Sequence, residues 1–143
     1  METQTIRPLA VCVFLYQNRI LVFEGRDPVL NQPFYRPLGG KIEFGEHSAE
    51  TLVREMEEEL GERIHALTFL GCIENIFTYN DEPGHEIVMV YDARFGNPAL
   101  YEADTLTAHD GDAELKVVWK DLEFFKRGEA PLYPEGLLEL LWR

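Results

Sequence analysis

A chain of 143 residues with 45% hydrophobic content has apolar material for one core, which excludes a disulfide-dependent miniprotein and wholesale disorder. Its formal net charge of −13 excludes the broad basic face that nucleic acids need, and would repel a small polyanion unless bound cations reversed the field locally. No apolar run approaches the roughly 18 residues of a membrane span, and the start METQTIRPLA is too polar for an export signal, so a single cytoplasmic domain over residues 1–143 is expected.

In chain order, residues 7–23 read as a β-hairpin, two β-branched and aromatic runs flanking the polar Gln17-Asn18-Arg19. Residues 25–37, with prolines at 28, 33 and 37, read as a long surface loop, followed by Gly39-Gly40 and a short strand over 41–44. The spacing predicts a helix over 48–60, with Ser48 as N-cap, Glu50 in the first turn and Gly61 as the stop. Ala49, Leu52, Val53, Met56 and Leu60 recur at helical spacing and mark its buried face. Residues 67–79 and 85–95 read as strands joined by the turn-rich 80–84. A polar loop over 96–113 precedes a short strand at 115–119. Pro134 then suits the first turn of a closing helix whose buried stripe is Leu137, Leu138 and Leu141. Cys12 and Cys72 lie inside apolar runs and are expected as buried, reduced thiols. The whole amounts to an α+β domain with a mixed sheet between helices.

The predicted helix carries the chemistry. At roughly 100° per residue, Glu55, Glu58, Glu59 and Glu62 project within one arc, away from the apolar stripe. Like charges at i, i+3 and i+4 repel by roughly 0.2–0.5 kcal/mol per pair, so stability alone would have placed lysine or arginine among them. Only Arg54 lies at the edge of the block. Hard carboxylate oxygens facing one way suit Mg²⁺, with Mn²⁺ as the alternative, and a bound ion turns the repulsion into attraction. A solvated acidic helix face is the competing reading. Gly39 and Gly40 allow close backbone approach to a metal or phosphate, or simply a turn.

Gly40, five residues, Glu46, seven residues, then Arg54-Glu55-Met56-Glu57-Glu58-Glu59-Leu60-Gly61 resembles the signature of the Nudix hydrolases at every fixed polar and glycine position. Only Glu62 stands where that signature has an aliphatic residue. The resemblance extends to the Trp119-containing strand and the run Pro134-Glu135-Gly136-Leu137-Leu138. It implies a Nudix-like α/β/α sandwich with a mixed sheet between helices. The implied activity is a pyrophosphohydrolase that cleaves the phosphoanhydride bond of a nucleoside diphosphate linked to another moiety, by water attack at phosphorus. The implied magnesium ligands are Glu55, Glu58, Glu59 and the Gly40 carbonyl, with Arg54 orienting Glu55 or Glu46 through a bidentate ion pair. Proteins of this kind often add a carboxylate from outside the helix as ligand or general base. Glu114, five residues ahead of Trp119, is the best match to that position, with Asp112, Glu102 and Glu86 competing.

Arg26 and Arg36, in the loop leading to Gly39-Gly40, are placed to meet phosphates, although solvated loop cations look the same in sequence. Phe34, Tyr35, Phe77 and Tyr79 offer rings for a base. Tyr79 also stands close to where a tyrosine marks diadenosine polyphosphate hydrolases within the resembled family. His85 reads as structural, and the dispersed histidines give no zinc pattern. The expected partner is a small nucleotide-derived molecule; a homodimer is left open, and neither nucleic acid nor membrane is expected. Two other readings compete. One is a non-catalytic nucleotide-sensing domain, which would usually have lost box glutamates. The other is a prenyl diphosphate isomerase, which would need a well-placed catalytic cysteine.

Overall fold

The computed structural model describes residues 4–141; the first three residues of the polar start, read above as no export signal, lie outside the described residues. One sheet has the order β5-β1-β7-β6, made of β1 (Arg7–Val13), β5 (Leu38–Lys41), β6 (Ile64–Tyr79) and β7 (Glu82–Phe95). In it β1 runs parallel to β7, and the other pairings are antiparallel. The second sheet has the order β2-β3-β9-β8, made of β2 (Leu15–Tyr16), β3 (Arg19–Asp27), β8 (Thr105–Asp110) and β9 (Ala113–Asp121). Its remaining strand, β4 (Gln32–Arg36), pairs with the far half of β3.

Strand β1 explains how the layers stack. Leu9, Val11 and Val13 enter one core with Ile20, Val22, Val88 and Val90. Ala10, Cys12 and Phe14 enter the other with Leu21, Val117 and Trp119. A segment buried on both faces must be apolar throughout, which is why the run LAVCVF does not alternate. Helix α1 (Ser48–Leu60) covers the second core through Leu52 and Met56. The first is closed by Phe125 of α2 (Leu122–Lys126) and Leu137 of α3 (Leu137–Leu140). The sheets therefore lie between helices, the arrangement the sequence leads one to expect.

Several local expectations need correction. Helix α1 has the expected span, and Gly61 ends it with φ 69° and its N–H on the Glu57 carbonyl. The N-cap, however, is His47, whose N–H donates to the Glu50 carboxylate; the Ser48 hydroxyl instead lies 2.7 Å from that of Tyr91. Val53 is exposed, while Thr51 and Glu59 are buried, because packing against β5, β1 and β8 turns the covered arc toward them. The expected loop at 25–37 is largely the β3–β4 hairpin. Asp27 Oδ1 accepts the N–H groups of Val29 and Leu30 to tighten the turn. Pro33 is tolerated in β4 because it lies on an edge strand. Turn residues crowded at both ends of a short strand hide it. The expected loop at 96–113 likewise contains a 3₁₀ turn (Pro98–Tyr101) and β8.

Further along, the strand expected at 41–44 lies at 38–41, and α2 has no counterpart in the sequence reading. Pro134 precedes the four-residue α3 rather than opening it; the helix begins after Gly136, at φ 94°. Cys12 is buried, and burial together with the Asp92 charge pushes its thiol pKa up. Cys72, contrary to expectation, is exposed on the edge strand β6; both thiols are free. No helix among the described residues is long and apolar enough to cross a membrane.

Candidate functional site

Helix α1 is seated against β5, β1 and β8, so its acidic side borders strand ends from both sheets. On the β5 side Glu55 lies over Gly40. A Cβ at Gly40 would collide with the Glu55 carboxyl group, so only glycine leaves that carboxylate beside the strand backbone. At Gly39 an added Cβ would instead collide with the Ala10 carbonyl and the β1 backbone. Gly39 thus makes room for the sheet backbone and Gly40 for the Glu55 side chain. Gly39→Ala is expected to cost about 3 kcal/mol of stability, since backbone must shift. Gly40→Ala should leave the ion-free melting temperature nearly unchanged, because a flexible side chain can move away, while weakening divalent-ion binding about tenfold. Thermal melts with and without Mg²⁺ separate the two.

Arg54 ties the loop to the helix. Its Nε and Nη2 donate to the two Glu46 oxygens at 2.9 and 3.0 Å. Its Nη1 lies 2.8 Å from Glu55 Oε1 and 3.2 Å from Glu58 Oε2, and Nη2 also reaches the Lys41 carbonyl. Glu46 accepts the Thr51 hydroxyl as well, at 2.6 Å. Arg54, and then Thr51, hold the Glu46 carboxyl down to about 2, against 4.5 for the free group. A depressed carboxyl pKa contributes stability that is present above about 4.5 and lost as pH falls toward about 2. The stability gap between native protein and Glu46→Gln should therefore narrow across that window and be steady above it, as pH-resolved urea melts would show.

On the β8 side Glu59 is 8% exposed, and its Oε2 has no hydrogen-bond partner. Burial first, then the charges of Glu55, Asp110 and Glu58, push its pKa up to about 8. A buried carboxylate with one unpartnered oxygen is costly until a proton or a cation meets it. As the side chains stand, no three acids among the described residues converge into a ready-made cation site, and the Glu58 side chain is 60% exposed and held by Arg54. The donor set nevertheless fits a hard divalent ion: carboxylate oxygens, one of them buried and orphaned, beside a strand backbone opened by Gly40.

Asp110 is the residue the sequence reading missed. It ends β8 two positions after Ala108, which is buried in the core that α1 covers. Side chains alternate along a strand, so Asp110 shares that face, and its charge reaches Glu59. Glu114 pairs with His109 across the β8–β9 ladder and so falls on the opposite face. The clue available in sequence is Asp110-Gly111, a hairpin signal that turns the preceding residues into a strand. Asp112 is exposed in that turn, Glu102 accepts the Tyr16 hydroxyl, and Glu62 is met by Asn97. Glu86 lies on the β7 face shared with Val88 and Val90, in the core away from α1.

A cavity of about 350 Å³ opens between the β3–β4 hairpin, the end of β6 and residues 131–135, lined among others by Phe34, Arg36, Asn75, Phe77, Tyr79 and Tyr133. Arg36 and Tyr79 thus belong to one chamber. Arg26 is turned away to the Asn31 carbonyl, 3.0 Å distant, and Tyr35 packs in the core on Phe124 and Phe125.

A model of the NUDIX domain matches residues 6–136. Among solved structures, the chain is similar to the ORF135 protein of E. coli, at 22% identity and TM-score 0.67, over 97% of this chain and 90% of that one. It is also similar to a MutT NUDIX hydrolase from Burkholderia pseudomallei, at 24% identity and TM-score 0.62, covering 84% and 86%. A mutator MutT protein from Bacillus halodurans matches at 18% identity and TM-score 0.64, covering 96% and 80%. These likenesses are of fold.

Proposed function

The chain belongs to the Nudix family and is an enzyme of the Nudix pyrophosphohydrolase type, and from that premise we propose that it hydrolyses a phosphoanhydride bond of a nucleoside diphosphate derivative with Mg²⁺, or Mn²⁺, held at α1. The observation that carries the reading is the buried, orphaned Glu59 oxygen, on a carboxyl group that feels the charges of Glu55, Glu58 and Asp110. Glu55, Glu58, Glu59 and the Gly40 carbonyl would hold the ion. When bound, such an ion neutralises phosphate charge and makes water a better nucleophile at neutral pH. Arg54 keeps Glu55 and Glu58 from splaying apart and does not touch substrate. Asp110 replaces Glu114 as the carboxylate outside the helix, because it stands on the Glu59 side of its strand. Arg36 and Tyr79 face the substrate from the cavity, while Arg26 stays on the hairpin.

The reading takes residues 1–143 as one domain that works in the cytoplasm on a small nucleotide-derived molecule; the charge of −13 disfavours nucleic acid. Nucleoside triphosphates, dinucleoside polyphosphates and nucleotide sugars with Mg²⁺ form the test panel, with products separated by chromatography. One class should turn over and stop when the metal is chelated. No turnover on any member, with a ligand that still protects against heat, would replace the hydrolase by a nucleotide-sensing domain.

A further inference from the structure

Strand β6 is longer than any other described strand, and its outer edge has no strand beside it among the described residues. The unpaired N–H and C=O groups of an edge are a template for another strand, so edges are usually kept short or guarded by charge or proline. The other edges follow that rule. Strand β2 has two residues, β5 has four and ends in Lys41, β4 contains Pro33, and β8 ends in Asp110. The 16 residues of β6 include no proline, lysine or arginine, and Glu74 is their only acid. Bulges, which also spoil an edge, fall between His65 and Gly71; from Gly71 to Tyr79 the ladder to β7 is unbroken. That second half of β6 is a regular, unguarded edge.

Its exposed side chains are apolar as well. Phe69, Ile76 and Tyr79 are all exposed, Ile76 at 74%. Charge selects the occupant. A basic partner would be drawn to the acids that dominate the rest of this chain of charge −13, and would find one carboxylate here. A second copy is repelled almost everywhere else and meets least repulsion along this strand. Symmetry then narrows the register. Residues directly opposite in an antiparallel pair share a face, so a two-fold pair of identical strands has its axis at a residue position. An axis at Glu74 would set two carboxylates against each other, and one nearer Phe69 would meet the bulges. An axis at Ile76 sets Ile76 against its own copy, Glu74 against Thr78 and Ile73 against Tyr79. No like charges then oppose, and the most exposed apolar side chain of β6 is covered at the centre.

We propose that the second half of β6 is a docking edge for a second copy of this chain, paired antiparallel about Ile76 so that two four-stranded sheets become one. Residues 75–79 also line the cavity, so the pair sets two cavities on either side of one ladder. The inference is independent of the hydrolase reading, and its test needs neither metal nor substrate. Sedimentation velocity over a range of protein concentrations should show a monomer giving way to a dimer. Because the two acidic chains repel at long range, the dimer should be tighter at about 0.5 M NaCl than at about 0.05 M. Ile76→Lys sets two cations face to face at the axis and should weaken the dimer at least about fivefold. Val29→Lys, at an exposed apolar position away from β6, adds the same charge and should not weaken it. Register is read by cysteine cross-linking in a Cys72→Ser background under mild oxidation. Ile76→Cys should give a disulfide-linked dimer, since directly opposite residues lie within disulfide reach. Glu74→Cys should not, since its own copy is four positions away across the ladder. The cross-link decides the matter even where Ile76→Lys does not fold. A native protein that stays monomeric to about 1 mM, a dimer indifferent to a folded Ile76→Lys, or cross-linking by Glu74→Cys as readily as by Ile76→Cys each overturns the proposal.

Discussion

Glu59→Gln is expected to have two opposite effects, a fall in turnover of more than about 100-fold and a rise in the melting temperature of the ion-free protein. The first follows because losing even a residue behind the metal ligands costs about 10- to 100-fold, and Glu59 is proposed to touch the ion itself. The second follows from linkage. The Glu59 pKa is raised from 4.5 to about 8 in the folded protein, by burial and then by Glu55, Asp110 and Glu58. Between those values the folded chain binds a proton that the unfolded chain releases, so stability falls as pH rises from about 4.5 to about 8. Glutamine carries no titrating group and removes much of that slope. Melts of both proteins against pH, with metal chelated, check this; a variant less stable than native at the alkaline end would show that Glu59 is satisfied as a carboxylate without an ion. Added Mg²⁺ should raise the native curve most where it has sagged.

Arg54→Lys is expected to lower kcat by about 10- to 100-fold although the charge is kept. A single ammonium cannot hold both Glu46 oxygens and also reach Glu55, Glu58 and the Lys41 carbonyl, as the guanidinium does. Stability should drop as well, because the half-buried Glu46 and Glu55 carboxylates lose charge-assisted donors. Arg54→Ala should be worse on both counts, since the helix carboxylates then face one another unscreened. Steady-state kinetics and urea melts supply the numbers. A lysine variant with native kcat would reduce Arg54 to a source of charge.

Sequence periodicity was informative where one physical demand dominated. The span of α1 follows from its apolar spacing and the αL stop at Gly61, and the two-faced burial of β1 from its unbroken apolar run. The grouping of Glu55, Glu58 and Glu59 with Arg54 follows from helix geometry. The missing pieces depended on pairing between distant segments. Strands β4 and β8 lie at sheet edges, are rich in polar or turn-forming residues, and become visible only through their ladders with β3 and β9. Asp110 is separated from Glu59 by 51 positions and meets it because β8 packs on α1, which no local spacing encodes. The same register turns Glu114 away, since one step along a strand reverses the face. Cys72 and Val53 sit in apolar runs, yet one lies on an open edge strand and the other beyond the covered arc of α1.

The most direct measurement is hydrolysis of the responsive panel member across a range of Mg²⁺ concentrations by native protein, Glu58→Gln and Glu59→Gln, in heavy-oxygen water with mass spectrometry of the products. Metal-assisted water attack held by α1 predicts Mg²⁺-dependent turnover, heavy oxygen on the phosphate of one product, and collapse of the rate in both variants. Turnover that persists without a divalent ion, or that survives in both variants, would contradict it.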